Sequence, residues 1–177
     1  MTDYVAPPRD IASSGQADLF VQDNFYLLEA GGEHDGNDTT SRDGLAFGGP
    51  SWLAVLTGTD FSPLPCRAEV LRRMPPKLDR DYDMAAEYDL QVLRGFITLT
   101  GPQGQFPHLV LAVAAPGPHR ARIHVRGRRH GLQPAPLDAA AISRINPEQH
   151  LIQLWPSANP RVPEIVYGPD EFARDNH

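Results

Sequence analysis

The sequence has one cysteine, Cys66, and one lysine, Lys77, in 177 residues. A single cysteine excludes a disulfide within the chain and any metal site built from several thiolates. No apolar run approaches the roughly 20 residues that a membrane-spanning helix needs. The first twenty residues contain acids and prolines where a signal peptide would have a basic start and an apolar stretch. These absences predict a cytoplasmic protein without a membrane segment.

Catalytic motifs are absent as well. The seven histidines form no HxH or HExxH pattern and no metal-ligand spacing with the cysteine, and no serine lies in a GxSxG turn. Cys66 follows Pro65 in an apolar stretch, where a thiol is typically buried and inert. The sequence therefore predicts no catalytic residue, no metal site and no cofactor, and a protein that is not an enzyme.

Proline and glycine are abundant, with 18 and 15 residues, and hydrophobic residues make up 41% of the chain. Such frequent turn residues divide the chain into short apolar pieces with links too short for helical crossovers. This pattern predicts an all-β fold, an antiparallel β-sandwich of about eight or nine short strands with at most one short helix. We expect that helix at residues 137–142, a flexible arm at 1–17, a single domain at 18–168 and a flexible tail at 169–177.

Two segments alternate with the period of a strand. Residues 119–128 read HRARIHVRGR, and one parity holds the basic side chains of Arg120, Arg122, His124, Arg126 and Arg128. Residues 84–92 alternate apolar side chains with Glu87, Asp89 and Gln91, and Gly95 then predicts a hairpin to a strand at 96–100. If the acidic and basic strands are neighbours, their charges form cross-strand pairs. Two acids cannot match every basic side chain of the strand, so we expect these five side chains on a solvent-side face of the sheet, where those not matched by Glu87 or Asp89 remain available to a partner.

Two acidic segments are candidate cation sites. Asp79, Asp81 and Asp83 alternate as at the start of a calcium loop, but Met84 and Leu90 occupy the positions that require glycine and glutamate. The polar segment 31–44 offers oxygen ligands from Glu33, His34, Asp35, Asn37 and Asp38. Both segments are also typical of solvated turns, and their sequences favour that interpretation.

The charge balance bears on the kind of partner. The formal net charge is −6 although fifteen of the sixteen basic residues are arginine. An acidic chain is not typical of proteins that bind nucleic acid directly, which carry a strongly basic domain or face. We therefore expect no direct binding to DNA or RNA.

Several local patterns are similar to those of a bacterial family. They are DNFYLLE at 23–29, DGLA with a following strand that ends in TGT, AEYDLQV–RGFITL at 86–99, PGPHRARIHVRGR at 116–128 and EQHLIQLWP at 148–156. The chain resembles a group of small bacterial β-sandwich proteins and, more distantly, the competence nuclease-inhibitor family of the J-type competence protein. The resemblance covers residues 18–156, and the segments 31–44 and 129–148 depart from it.

The resemblance implies a binding protein that inhibits or neutralises a nuclease or a toxin. Carboxylates suit the basic channel of a nuclease and speed association. The candidate partner-binding residues are Asp79, Asp81, Asp83, Glu87, Asp89, Arg122 and Arg126, and the loop acids Glu33, Asp35 and Asp38 are an alternative set. The other hypothesis is a small-ligand or metal-binding β-sandwich protein that uses the acidic segments.

Overall fold

The computed structural model describes residues 10–31, 43–60, 63–102, 107–131 and 148–175. Within these ranges the chain forms eleven strands and two helical segments. In chain order they are β1 (Ile11–Phe20), β2 (Phe25–Glu29), β3 (Ala46–Gly49), β4 (Trp52–Leu56), β5 (Pro63–Leu71), β6 (Met84–Val92), β7 (Phe96–Thr100), β8 (Pro107–Ala112), β9 (Gly117–Arg126), α1 (Arg128–Gly131), β10 (Gln149–Pro156), β11 (Glu164–Tyr167) and α2 (Glu171–Asp175). Neither helical segment is long and apolar enough to cross a membrane.

The strands form two sheets. The first has the order β1-β5-β10-β9-β6-β11, and the second has the order β3-β4-β2-β7-β8. The prediction of a purely antiparallel fold is wrong at one pair, because β10 runs parallel to β5. Parallel neighbours require a long connection, and here the whole stretch from β6 to β9 separates the two strands in sequence.

The inward-facing side chains of both sheets meet in one buried cluster. Ile123 and Ile152 from the first sheet belong to the same cluster as Leu28 and Val55 from the second. This is the arrangement typical of a β-sandwich, in which alternate residues of each sheet fill the space between them. The mostly β prediction is confirmed, with more strands than the sequence indicated.

The predicted hairpin between residues 84–92 and 96–100 is wrong, although both segments are strands. β6 pairs with β9 in the first sheet, whereas β7 pairs with β2 and β8 in the second. The backbone N–H groups of Gln91 and Leu93 donate hydrogen bonds to the carbonyls of Pro50 and Ala30. These two bonds tie the end of β6 to residues that flank strands of the second sheet. The short link at Gly95 is therefore a crossover between sheets.

The predictions for the ends of the chain also need correction. β1 begins at Ile11, within the segment predicted as a flexible arm, and pairs with β5 along most of its length. In the predicted tail, α2 buries Phe172 and Ala173. The helix predicted at 137–142 lies outside the described residues, and the assignment of 18–168 to one domain stays a prediction.

Arg128 fixes the C-terminal segment against the sandwich. Its guanidinium is buried and forms a bidentate pair with Asp170, at 2.8 Å from Nε to Oδ2 and 2.6 Å from Nη2 to Oδ1. Nη1 donates to the Gly44 carbonyl at 2.7 Å, and the group lies 4.6 Å from the centre of the Phe172 ring. Asp170 immediately precedes α2 and also accepts a hydrogen bond from the Ala173 N–H in the first turn of that helix. One cation therefore joins three separate segments.

Replacing Asp170 by alanine should lower the free energy of unfolding by about 3–5 kcal/mol, because it leaves a buried guanidinium without its counter-charge. Urea unfolding at neutral pH measures this loss. The matched control is Asp175→Ala, since Asp175 is exposed at the end of the same helix and should change stability by less than about 0.5 kcal/mol. Equal losses in the two variants would contradict the role given to the Arg128–Asp170 pair.

Candidate partner-binding surface

The outer face of the first sheet is polar and organised in cross-strand rows. β9 lies between β10 and β6, and Arg122 is opposite Gln153 on one side and Glu87 on the other. Gln153 is in turn level with Glu69 of β5 and donates to its carboxylate at 2.9 Å. One row of polar side chains therefore crosses four strands on the face opposite the core.

The acidic and basic strands are neighbours, and their charges pair as a cross-strand ladder. Glu87 accepts from Arg122 Nε at 2.8 Å and from Arg120 Nε at 3.2 Å, so one carboxylate serves two guanidinium groups. Arg120 also donates to Asp89 at 2.8 Å. Arg120, Arg122 and Glu87 are each no more than 3% exposed. The prediction that the basic side chains of this strand face solvent is therefore wrong for Arg120, Arg122, His124 and Arg128, which are all buried.

Two segments cover this ladder. The first strap is residues 72–83, and its Lys77 carbonyl accepts a hydrogen bond from Arg122 Nη1 at 3.3 Å. The second strap is residues 157–163, and its Arg161 and Val162 carbonyls accept hydrogen bonds from Arg120 at 3.2 and 3.1 Å. The Arg161 N–H donates to Asp89 at 2.6 Å. The two guanidinium groups are thus hydrogen-bonded both to carboxylates of the neighbouring strand and to backbone carbonyls of the straps. These hydrogen bonds allow the charged groups to be buried.

His124 also lies under the first strap and is fully buried. Neither ring nitrogen makes a hydrogen bond of normal geometry within the described part of the chain, although an interaction with the Leu151 backbone acts to raise the pKa of the ring. The ring packs against Tyr82 at 5.4 Å between centroids. Burial, followed by the positive charge of Arg122, lowers the pKa of His124 to about 4. The ring is therefore neutral at physiological pH.

The structure separates the predicted partner-binding residues into two groups. Asp81 and Asp83 are exposed and Asp79 is half-buried, all at the end of the first strap. Glu87 and Arg122 are buried within the ladder and are not presented to a partner, while Asp89 and Arg126 are half-buried. Within the described residues no ion pair engages the Asp79, Asp81 or Asp83 carboxylates.

A polar groove with a cavity volume of about 590 Å³ lies beside this acidic strap end. Its lining includes Gln16 and Asp18 of β1, Arg67 of β5, Gln149 of β10, Arg126 of β9, and Asp79, Asp81 and Tyr82 of the strap. Arg126 donates to the Gln149 amide oxygen and lies 5.5 Å from the centre of the Tyr82 ring. Arg67 pairs with Glu69 at 2.5 Å.

A second polar network, inside the sandwich, was not found from the sequence. The Tyr26 hydroxyl and His150 Nδ1 are 3.0 Å apart, and His150 Nε2 is 3.0 Å from the Glu148 carboxylate. That carboxylate also accepts the N–H groups of Gly58 and Thr59 at 3.0 and 2.7 Å. The alternation of Glu148 and His150, two residues apart, was the only signal that placed these side chains on one face.

This network has the character of a structural element. Burial lowers the pKa of His150, so a neutral ring can donate to Glu148 and accept from Tyr26. Burial acts against ionisation of Glu148, but the hydrogen bonds from His150, Thr59 and Gly58 hold its pKa below the usual value. Burial raises the pKa of the Cys66 thiol to about 12, so the thiol stays protonated, as its sequence setting predicted.

The candidate cation sites have different outcomes. Within the described residues, no group of three or more His, Cys, Asp or Glu side chains is arranged to hold a metal ion. Asp79, Asp81 and Asp83 therefore do not form such a group. The alternative acids Glu33, Asp35 and Asp38 lie outside the described residues.

The fold and this surface define a two-sheet, mostly β protein with an acidic strap at one edge of its polar outer face. The sequence matches no family model and no curated protein. Solved structures do match. One is described as "Crocagin biosynthetic gene J", with a TM-score of 0.55 at 11% identity over 82% of this chain and 99% of that chain.

The other is ComJ from Bacillus subtilis, described as an inhibitor of the DNA-degrading activity of NucA. Its TM-score is 0.56 at 5% identity, over 82% of this chain and 96% of that chain. Identities this low establish likeness of fold and nothing further. The distant resemblance that the sequence indicated is confirmed at the level of the fold.

Glu87→Gln should lower the free energy of unfolding by about 3–5 kcal/mol, because it leaves two buried guanidinium groups with one carboxylate fewer. Urea unfolding at neutral pH measures the change. Glu164→Gln is the matched control, since Glu164 is the exposed cross-strand neighbour of Glu87 on β11. If the two variants unfold at the same denaturant concentration, the ladder does not hold the outer face together.

His124→Leu should weaken the acid sensitivity of the protein. In the unfolded chain the ring takes up a proton below about pH 6.5, whereas the folded ring resists protonation until about pH 4. The unfolded state therefore binds more protons between these values, and stability falls as pH falls. We expect the variant to lose up to about 3 kcal/mol less than the wild type between neutral pH and pH 4. His108→Leu, at an exposed position of β8, should leave the pH dependence unchanged, and an unaltered profile in the His124 variant would refute the effect.

Proposed function

We propose that this protein is a non-catalytic intracellular binding module that inhibits or neutralises a nuclease or a toxin. The single observation that carries the proposal is the acidic strap end. Asp79, Asp81 and Asp83 lie together at the edge of the outer face, within reach of a partner and without ion pairs among the described residues. The likeness of fold to ComJ, whose description names it a nuclease inhibitor, supports the same conclusion.

The chemistry of this surface suits a basic partner. Proteins that act on nucleic acid present lysine and arginine to the phosphate backbone. A carboxylate cluster can occupy such a surface, and the net charge of −6 adds long-range attraction that speeds encounter. The contact residues on this proposal are Asp79, Asp81 and Asp83.

The remaining predicted residues support this surface from below. Arg122 bonds the strap backbone and Glu87 holds Arg122, so both position the strap without touching the partner. Asp89 anchors the second strap through Arg161. Arg126 lies at the groove beside Tyr82 and is the one predicted cation that a partner can approach.

A small-ligand protein is the second candidate, and the groove beside Asp79 and Asp81 favours it. A specific ligand that binds the folded state raises the melting temperature. A thermal-shift screen with small polar ligands and calcium tests this candidate, and melting curves unchanged at millimolar ligand would rule it out.

The inhibitor proposal predicts that the tagged protein binds a nuclease or toxin from its native host in a fixed stoichiometry. The purified pair should then show inhibition of the partner's activity and an affinity that falls with salt, because exposed charges are screened. Changing Asp79, Asp81 and Asp83 to asparagine should weaken the complex by at least about tenfold, mainly through slower association.

The matched control changes three exposed acids elsewhere, Asp23, Glu164 and Asp175, to their amides. It removes the same charge and should retain most of the affinity. Equal weakening by both triple variants would show that net charge, and not the strap, drives binding. Recovery of no stoichiometric nuclease or toxin would overturn the proposal.

A further inference from the structure

A buried carboxylate joins the two sheets at one end of the sandwich. Glu148 directly precedes β10 of the first sheet, and its side chain is completely buried. It accepts hydrogen bonds from the backbone N–H groups of Gly58 and Thr59 at 3.0 and 2.7 Å. These two residues follow β4 of the second sheet and lie outside its strand ladders. We call this contact between Glu148 and residues 58–59 the latch.

Residues 58–59 can separate from the first sheet without the loss of any strand pair. Apart from the bonds to Glu148, their described hydrogen bonds come from the side chains of Asn24, at 3.4 Å, and Thr57, at 2.7 Å. Asn24 precedes β2 and Thr57 follows β4, so both donors belong to the same side of the sandwich as the segment itself. Among these described bonds, only those to Glu148 cross to the first sheet.

The hydrogen-bond directions around the latch leave no place for a further proton without cost. His150 Nε2 lies 3.0 Å from the Glu148 carboxylate, and Nδ1 lies 3.0 Å from the Tyr26 hydroxyl. A carboxylate only accepts, so the neutral ring donates from Nε2 and accepts the Tyr26 O–H at Nδ1. A proton on Nδ1 turns that acceptor into a donor. A proton on Glu148 removes the negative charge that strengthens all three of its hydrogen bonds.

Other charged groups near His150 oppose one another. Burial is the main cause that lowers the pKa of the ring, and the charge of Arg128 in α1 adds to it, whereas the charge of Asp170 ahead of α2 acts to raise it. These two residues pair with each other at 2.6 Å. Tyr26 and Cys66 stay protonated because burial raises the pKa of both, and the cross-strand neighbour on β9 is apolar. Among the described residues, the latch carboxylate is therefore the one ionised group that bonds the ring.

We propose that Glu148 and His150 make this latch proton-sensitive, so that it holds residues 58–59 on the first sheet at neutral pH and releases them in acid while the rest of the sandwich stays folded. The latch also fixes the start of β10, whose residues Gln149 and His150 line the polar groove. This inference is independent of the proposed function.

Proton binding gives the direction of the effect. Once the segment opens, the His150 ring takes up a proton below about pH 6.5, whereas in the closed latch burial holds its pKa lower. Burial acts to raise the pKa of Glu148, but its hydrogen bonds outweigh burial and hold that pKa down, so the carboxyl adds to the effect at lower pH. The open state therefore binds more protons as pH falls, and acid favours release.

The test follows amide hydrogen exchange in the full-length protein by NMR. Between pH 7 and pH 5, the protection factors of the Gly58 and Thr59 amides should fall by at least about fivefold, because opening takes up a proton. A local opening exposes little surface, so about 1 M urea should change these two protection factors by less than about twofold. The same urea should clearly lower the protection of amides in the middle of β10, which exchange through unfolding.

Variants separate the latch from the buried histidine under the first strap. His150→Gln should abolish the fall in Thr59 protection between pH 7 and pH 5, since glutamine does not titrate. His124→Leu should retain that fall, because His124 stays enclosed when residues 58–59 open. Glu148→Gln should lower Thr59 protection at pH 7 by at least about tenfold, because its amide N–H groups face other donors. Glu164→Gln, at an exposed position, is the matched control and should leave Thr59 protection unchanged.

Several results would contradict the latch. They are protection of Gly58 and Thr59 that does not change with pH, equal sensitivity of these amides and the β10 amides to urea, and loss of the pH dependence in the His124 variant but not in the His150 variant. If the His150 variant does not fold, the pH and urea series on the wild-type protein decide the question. None of these measurements involves a partner, so failure of the latch leaves the proposed function standing.

Discussion

The outer face of the first sheet depends on one carboxylate held between two guanidinium groups. Glu87 serves both Arg120 and Arg122, which are themselves almost completely buried. Bare arginines at these positions could not be covered, because an unpaired buried charge costs several kcal/mol. With Glu87 in place, their remaining donors reach the strap carbonyls of Lys77, Arg161 and Val162. The ladder thus converts a charged strand surface into a support for two irregular segments.

This constraint determines where the accessible charge appears. In the ladder, carboxylates and guanidinium groups of neighbouring strands form ion pairs, so their charges neutralise one another beneath the straps. The first strap then ends at Asp79, Asp81 and Asp83, where no described ion pair neutralises the carboxylates. Charge that is paired below stabilises the strap, whereas at its end the Asp79 and Asp83 carboxylates accept hydrogen bonds from the backbone N–H groups of Asp81 and Gly127. The same strap supplies Tyr82, which closes His124 off from the groove.

The sequence predicted local features better than their surroundings. Alternation located β6 and β9 closely and suggested the pairing of Glu87 and Asp89 with the basic strand, since period two assigns faces without knowledge of the fold. It could not show that straps would cover the outer face, because segments 72–83 and 157–163 are irregular and proline-rich. A polar strand face was therefore assigned to solvent, and the buried positions of Arg120 and Arg122 were missed.

The missed site residues share a physical cause. Tyr26, Glu148 and His150 come from segments far apart in sequence, and only the parallel placement of β10 beside β5 brings His150 level with Cys66. The sequence offered no reason to expect that pairing, since the long connection between the two strands contains four others. The groove depends on the same placement, because its floor joins β5, β10 and β9 in that order. The one parallel pair in the described sheets therefore positions both the inner network and the polar groove, on opposite faces of the same strands.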